Sequence, residues 1–314
     1  ELHRLSGGRL EKISTFGTQG PTNVVTFMAN GQMHVLVANS YDGVSSLIES
    51  DVYVFSPWSA TKLSLVQELL LDSAKVLHSF YSRGQLYVFV GSNFNTTSRD
   101  YTCHSQFYRF ENGLLKPWQS MRTSGIIGVQ SFDVSAGHSF FVVANSVSIQ
   151  DTSDGGFVAI HSFSNGCLQE TAEQEIGPIL GITHIRHFTM NATEYLTVSS
   201  NPTDSKDGYL WIYVWDSSNC SMACTPNFVL SQNLTVDDAE RLVFFKDVTD
   251  SAFMVFGGAS GLQGIAFRTR TIMTGALVRA LKGVASFTDL GINLAQTNYR
   301  LRYEASGMLS FLGA

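Results

Sequence analysis

The stretch FYSRGQLYVFVGSN, residues 80–93, carries the pattern that decides the fold. Phe80 opens it, Gly84 marks a tight turn, and Leu86-Tyr87-Val88-Phe89-Val90 then runs apolar almost without a break. Aromatic and β-branched residues entered from a glycine turn read as a strand, and an apolar run without alternation suits a strand covered on both faces. The phrase recurs upstream as FMANGQMHVLVANS (residues 27–40) and downstream as FDVSAGHSFFVVANS (residues 132–146). Taking Phe27, Phe80, Phe132, Phe188 and Phe245 as anchors, the successive spacings are 53, 52, 56 and 57. A second mark keeps the same register: strands ending at Phe55, Phe110, Phe163, Trp215 and Phe267 are spaced by 55, 53, 52 and 52. Two independent marks with a period near fifty identify a repeat protein whose unit is one supersecondary element.

Each unit reads as four strands. The apolar strands are expected at Met33 to Ala38, Leu86 to Val90, Phe140 to Ala144, Tyr195 to Val198 and Phe253 to Phe256. After a polar loop comes an alternating strand (Asp51 to Phe55, Gln106 to Phe110, Phe157 to Phe163, Leu210 to Trp215). A turn then leads into a more polar fourth strand, as at Leu63 to Gln67 or Leu168 to Glu170. Apolar inner strands with a polar outer one are what a β-propeller blade requires, because blades cover one another and only the outermost strand meets water. No helical periodicity of any length is present.

The quoted phrases, with SQFYRFENGLLKPWQSMRTSG (residues 105–125), resemble EAR (epitempin) repeats, the blades of an extracellular propeller found in leucine-rich glioma-inactivated proteins and a very large adhesion receptor. The resemblance covers roughly residues 1 to 267 and thins after Asn191, where Ser199-Ser200-Asn201 and Gly257-Gly258-Ala259 replace Val-Ala-Asn. It implies a non-catalytic recognition or adhesion module that binds a cell-surface or matrix protein, or neighbouring subunits, through its propeller loops. EAR units commonly place an Asp four residues before the anchor, lining the channel; here those places hold Asn23, Val76, Gly128, His184 and Arg241. Calcium prefers hard oxygen ligands, so no channel metal and no cofactor is expected.

Residues 1 to 20 align with the second half of a unit, Leu2 to Leu5 and Leu10 to Ile13 being its third and fourth strands. Residues 268–314, with Gly283 to Leu290 and Tyr299 to Leu309, resemble the start of an immunoglobulin-like module. The expected division is therefore a propeller over 1–267 and an incomplete immunoglobulin-like segment over 268–314. Hydrophobic residues make up 44% and charged residues 15%, which excludes a disordered chain. A net charge of -6 without a Lys/Arg cluster makes nucleic acid an unsuitable partner, and no apolar run is long enough to span a membrane.

Sequons at Asn95, Asn191, Asn219 and Asn233 point to an extracellular, glycosylated protein. Cys220 and Cys224, with three residues between them in a turn-rich stretch, are the expected disulfide, because so short a loop brings their Cα atoms within bonding range. Cys103 and Cys167 fall at opposite ends of their strands, which speaks against their pairing. The rival reading of Cys220 and Cys224 as a metal site lacks a second pair of ligands.

Catalytic patterns are sparse, and no catalytic residue is expected. His184 and His187 stand three apart on a strand and so face opposite sides. Ser205-Lys206-Asp207-Gly208-Tyr209-Leu210-Trp211 falls one residue short of the Asp-box of propeller sialidases and precedes the third strand instead of following it. The leading expectation is thus a non-enzymatic adhesion module with Tyr41, Phe94 and Tyr101 as aromatic anchors on the loops between second and third strands. The alternatives are a structural subunit of an extracellular fibre or coat, and a propeller glycoside hydrolase.

Overall fold

The computed structural model describes residues 1–285 apart from 59–61, 96, 135–137, 147–154, 191, 203–206, 217–226, 237–240, 247–251, 259–260, 268–277 and 282–283. Every regular element among the described residues is a β-strand. The chain opens with a hairpin, β1 (Leu2–Ser6) and β2 (Arg9–Ser14). Five sheets follow. The first is β3 (Pro21–Ala29), β4 (Gln32–Asn39), β5 (Leu47–Phe55) and β6 (Leu63–Asp72); the second is β7 (Ala74–Ser82), β8 (Gln85–Ser92), β9 (Thr102–Glu111) and β10 (Leu114–Ser124). The third is β11 (Ile126–Val134), β12 (His138–Asn145) and β13 (Gly156–Ser164), whose outer edge is shared by β14 (Cys167–Leu168) and β15 (Gln174–Ile179). The fourth is β16 (Ile182–Met190), β17 (Thr193–Ser200), β18 (Gly208–Trp215) and β19 (Phe228–Val236). The fifth is β20 (Arg241–Lys246), β21 (Ala252–Gly258), β22 (Gly261–Phe267), β23 (Val278–Leu281) and β24 (Val284–Ala285). Each sheet is an antiparallel run of sequence neighbours, the blade of a propeller, so the expected fold class holds. All five expected apolar strands are present, as β4, β8, β12, β17 and β21. The strand β23 continues the fifth sheet past residue 267; residues 286–314, which contain most of the immunoglobulin-like phrases, lie outside the described residues.

Two compact units divide the chain: Glu1–Ile185 with Ser217–Asn227, and Arg186–Asp216 with Phe228–Ala314. Within the first, apolar residues fill the space between successive sheets. Leu36, Ala38, Val52 and Leu71 meet Leu77, Val88, Val90 and Leu115 between the first and second. Phe80, Phe89, Phe107 and Met121 meet Phe141, Val143, Phe163 and Leu168 between the second and third. In the second unit, Phe188, Met190, Leu210 and Ile212 pack with Leu242 and Met254. This two-sided cover is why β4, β8 and β12 read as unbroken apolar runs.

The anchor phenylalanines owe their recurrence to a cross-strand partner. Phe27 stacks on His34 (5.1 Å), Phe80 on Tyr87 (5.5 Å) and Phe188 on Tyr195 (5.1 Å), while Phe132 meets Phe140 at 5.5 Å. Such pairs are the stabilising unit of a sheet. The Asn closing the apolar run also has a structural task. Asn39 Oδ1 accepts the amide of Gln19 and Asn145 Oδ1 that of Ser124, each tying the chain that enters the sheet to the end of its second strand. Several hairpin turns are two-residue loops with both residues at positive φ, as at Asn112 (52°) and Gly113 (85°), the primed type whose twist matches that of the strands.

The outer strands carry a device that the repeat phrases do not announce. The pairing of β5 with β6 slips between Val52 and Tyr53, passing over Val66; that of β9 with β10 passes over Trp118, and that of β18 with β19 over Ser231. Each slip is a one-residue bulge, and the outer-strand residue beside it is Gln67, Gln119 and Gln232 in turn. In the first unit this glutamine clasps the next sheet. Gln67 donates to Leu115 O and accepts from Leu115 N, both at 2.8 Å. Gln119 does the same with Leu168, at 2.8 and 2.9 Å. The hairpin β1–β2 slips at the corresponding place, passing over Ile13, and its Leu2 packs with Phe16 against Val35, Val37 and Leu63.

Candidate functional site

The third sheet departs from the others at its bulge. Elsewhere, while the third strand advances three residues (Val52 to Phe55, Phe107 to Phe110, Ile212 to Trp215), the outer strand advances four (Gln67 back to Leu63, Gln119 to Leu115, Gln232 to Phe228). Between Ile160↔Gln174 and Phe163↔Leu168 the outer strand takes six, two more. The excursion is stitched at both feet: Gln169 N donates to Ser162 O at 2.9 Å and Glu173 N to Ile160 O at 2.8 Å. Its tip, Glu170-Thr171-Ala172, lines a cleft of about 440 Å³ within the first unit. The expected fourth strand over Leu168 to Glu170 is therefore corrected: it ends at Leu168 because the enlarged bulge begins there.

The floor of the cleft comes from β12 and β13. Phe157, Ala159 and His161 alternate on one face of β13 and all line it; Asn145 and Glu175 join them because they pair across the sheet with Phe157 and Ala159. His104, Ser120, Met121 and Arg122, from β9 and β10, complete the wall. The lining thus combines two carboxylates, one guanidinium, two imidazoles, an amide and two hydroxyls. Glu173 stands on the other face of β13, where Ser162 Oγ donates to its carboxylate and burial pushes its carboxyl above the usual range. His161 is only 5% exposed, and its Nδ1 lies 3.0 Å from Gln169 O. Burial drives its imidazole below the ordinary 6.5, the hydrogen bond to Gln169 opposing.

The residues singled out from sequence lie in several loops and strands. Phe94 and Tyr101 share one loop and pack edge to face at 5.5 Å. Tyr41 lies in a different loop, half exposed, its hydroxyl donating to Gly43 O at 2.7 Å. Asn95 uses its own Oδ1 to accept the amides of Thr97 and Ser98. Asn233 is exposed on β19 opposite Trp211. Asn191, Asn219, Cys220 and Cys224 lie outside the described residues. Cys103 and Cys167 are free thiols, the first buried and the second exposed. Among the described residues no group of three His, Cys, Asp or Glu is placed to hold a metal. None of the cleft residues was singled out by sequence reasoning; the available signal was the lengthened spacing between Gln119 and Gln174.

No protein-family model and no curated protein sequence matches the chain. Solved structures do match in fold. A Dyadobacter fermentans protein of unknown function is similar at a TM-score of 0.52 and 5% identity, with 82% of this chain and 81% of that one covered. The Bombyx mori GH32 β-fructofuranosidase BmSUC1 is similar at 0.47 and 8%, covering 87% and 63%. A Phanerochaete chrysosporium exo-β-1,3-galactanase is similar at 0.46 and 9%, covering 87% and 67%. The last two are named as sugar-acting enzymes, whereas the sequence reading expected a non-enzymatic adhesion module. At these identities the likeness itself is one of fold.

Proposed function

We propose that the chain is a propeller-fold glycoside hydrolase and that the cleft beneath the enlarged bulge is its substrate site. The observation that carries this reading is the two-residue enlargement of the third sheet's bulge, which sets Glu170 at the rim of a cleft that Glu175 also lines. Bulges that re-aim side chains gather beside active sites, and a cleft of this volume suits a small sugar. Glycoside hydrolysis asks for two carboxyl groups, one to protonate the leaving oxygen and one to activate water or attack carbon. Glu170 and Glu175 are the pair assigned to those tasks, with Arg122 and Asn145 as hydrogen-bond donors to ring hydroxyls. The activities named for the fold neighbours agree in substrate class. The blade phrases retain their resemblance to EAR repeats as a reading of blade type, and the sequons at Asn95 and Asn233 support an extracellular setting.

The test is reducing-sugar release from a panel of nitrophenyl glycosides and small oligosaccharides by purified protein. Glu170→Gln and Glu175→Gln are each expected to lower the rate by at least a hundredfold with the fold intact. Absence of turnover across the panel, or full activity in both variants, refutes the proposal.

A further inference from the structure

The reading that follows rests on the cleft being a sugar site and names the chemistry it selects. We infer that His161 Nε2 is a built-in hydrogen-bond acceptor for a ligand hydroxyl, so that the cleft takes a neutral sugar in preference to a phosphorylated or carboxylated one.

The tautomer follows from elementary hydrogen bonding. A carbonyl oxygen only accepts, so the 3.0 Å contact between His161 Nδ1 and Gln169 O requires the proton on Nδ1. In the neutral ring Nε2 then carries a lone pair and no hydrogen. No group among the described residues donates to it. The imidazole is 5% exposed and lines the cleft, and with Nδ1 held by Gln169 O the ring nitrogen left for a ligand there is Nε2. Burial favours the neutral ring. Gln169 is the first foot of the enlarged bulge, so the feature that opens the cleft also fixes the imidazole beneath it.

An acceptor selects a donor. Sugar hydroxyls donate, whereas phosphate and carboxylate oxygens present lone pairs to a lone pair. Glu170 and Glu175 on the same lining reinforce the bias, with Arg122 as the single fixed positive charge opposing it. A buried acceptor left without its donor costs enough to discriminate sharply, which is why such sites reject ligands lacking the matching group.

The experiment is calorimetric binding of methyl glycosides against glucuronic acid and glucose 6-phosphate. Neutral probes are expected to bind and the two anions to bind at least tenfold more weakly. His161→Asn keeps a donor near Nδ1 for Gln169 O but removes the acceptor, and should weaken the neutral probes at least tenfold. His161→Gln, with an amide oxygen near the Nε2 position, should recover part of that loss. Wild-type protein supplies a readout that needs no variant: binding should persist to below pH 6.5 and fail as the imidazole gains its proton. Glu170, Glu175, His104 and Arg122 face the same space, and Glu173 at the second foot of the bulge turns its carboxylate to Ser162 on the other face of β13, so the low-pH loss must disappear in His161→Asn. Anions binding as tightly as neutral sugars, unchanged binding in His161→Asn, or no neutral probe bound at all would each overturn the inference. Neutral sugars bound through His161 without turnover of any glycoside would sink the hydrolase and leave this assignment standing. Turnover with binding indifferent to His161 would do the reverse.

Discussion

Replacing Gln119 with Leu tests the glutamine clasp where it is best defined. The side chain makes two hydrogen bonds, to Leu168 O at 2.8 Å and from Leu168 N at 2.9 Å, and Leu168 is 2% exposed. Leucine fills similar space but answers neither group. Each orphaned backbone group then carries a desolvation cost of about 1–3 kcal/mol, set against roughly 0.5–1.5 kcal/mol for an ordinary net hydrogen bond. With part of the cost relieved by local movement, the expected loss is about 2–4 kcal/mol, on the order of 3–6 °C in Tm for a chain of 314 residues. Gln119→Glu separates the two bonds, since a carboxylate still accepts from Leu168 N but repels Leu168 O; it should cost at least as much as the Leu variant. Urea unfolding followed by tryptophan fluorescence measures both. A loss below about 0.5 kcal/mol in Gln119→Leu, the range of exposed substitutions, would refute the view that the clasp joins the sheets.

Thiol labelling offers a second check. Cys103 is buried and desolvation pushes its thiol up to about 12, so in native protein it should resist iodoacetamide at pH 8 while exposed Cys167 is modified, as peptide mapping will read; modification of Cys103 at a comparable rate would contradict its placement. In secreted material, glycan occupancy at exposed Asn233 should exceed that at Asn95, whose side chain is already engaged by two backbone amides; mass spectrometry after glycosidase treatment decides, and the reverse order would count against both positions.

How much of this was legible in the chain depends on which physical signal each residue gives. β4, β8 and β12 could be read because two-sided burial leaves an unbroken apolar run, and Phe27 or Phe80 stood out because an aromatic seven residues away across a turn holds each in place. Gln67 and Gln119 were invisible for the opposite reason. A glutamine on an outer strand is the commonest kind of surface residue, and its task appears only when register places it beside a bulge and within reach of the next sheet. The fourth strand of the first sheet was read as Leu63 to Gln67 and extends to Asp72, because the bulge at Val66 breaks the alternation that would have carried it on. His161 and Glu170 gave no motif at all, since they meet through an irregular excursion that has no period. The adhesion reading was carried over from the blade resemblance, and a blade constrains strands far more tightly than it constrains what the rims do.

The enlarged bulge is a natural grafting point. Both of its feet are fixed by backbone hydrogen bonds to β13, so the segment between Gln169 and Glu173 can be lengthened or rewritten while the inner strands of the third sheet keep their register. A library confined to Glu170, Thr171 and Ala172 would vary the rim of the cleft while leaving the floor of Phe157, Ala159 and His161 untouched. The one-residue bulges at Val66, Trp118 and Ser231 mark the corresponding places in other blades, where similar excursions could be installed to give a scaffold with more than one recess.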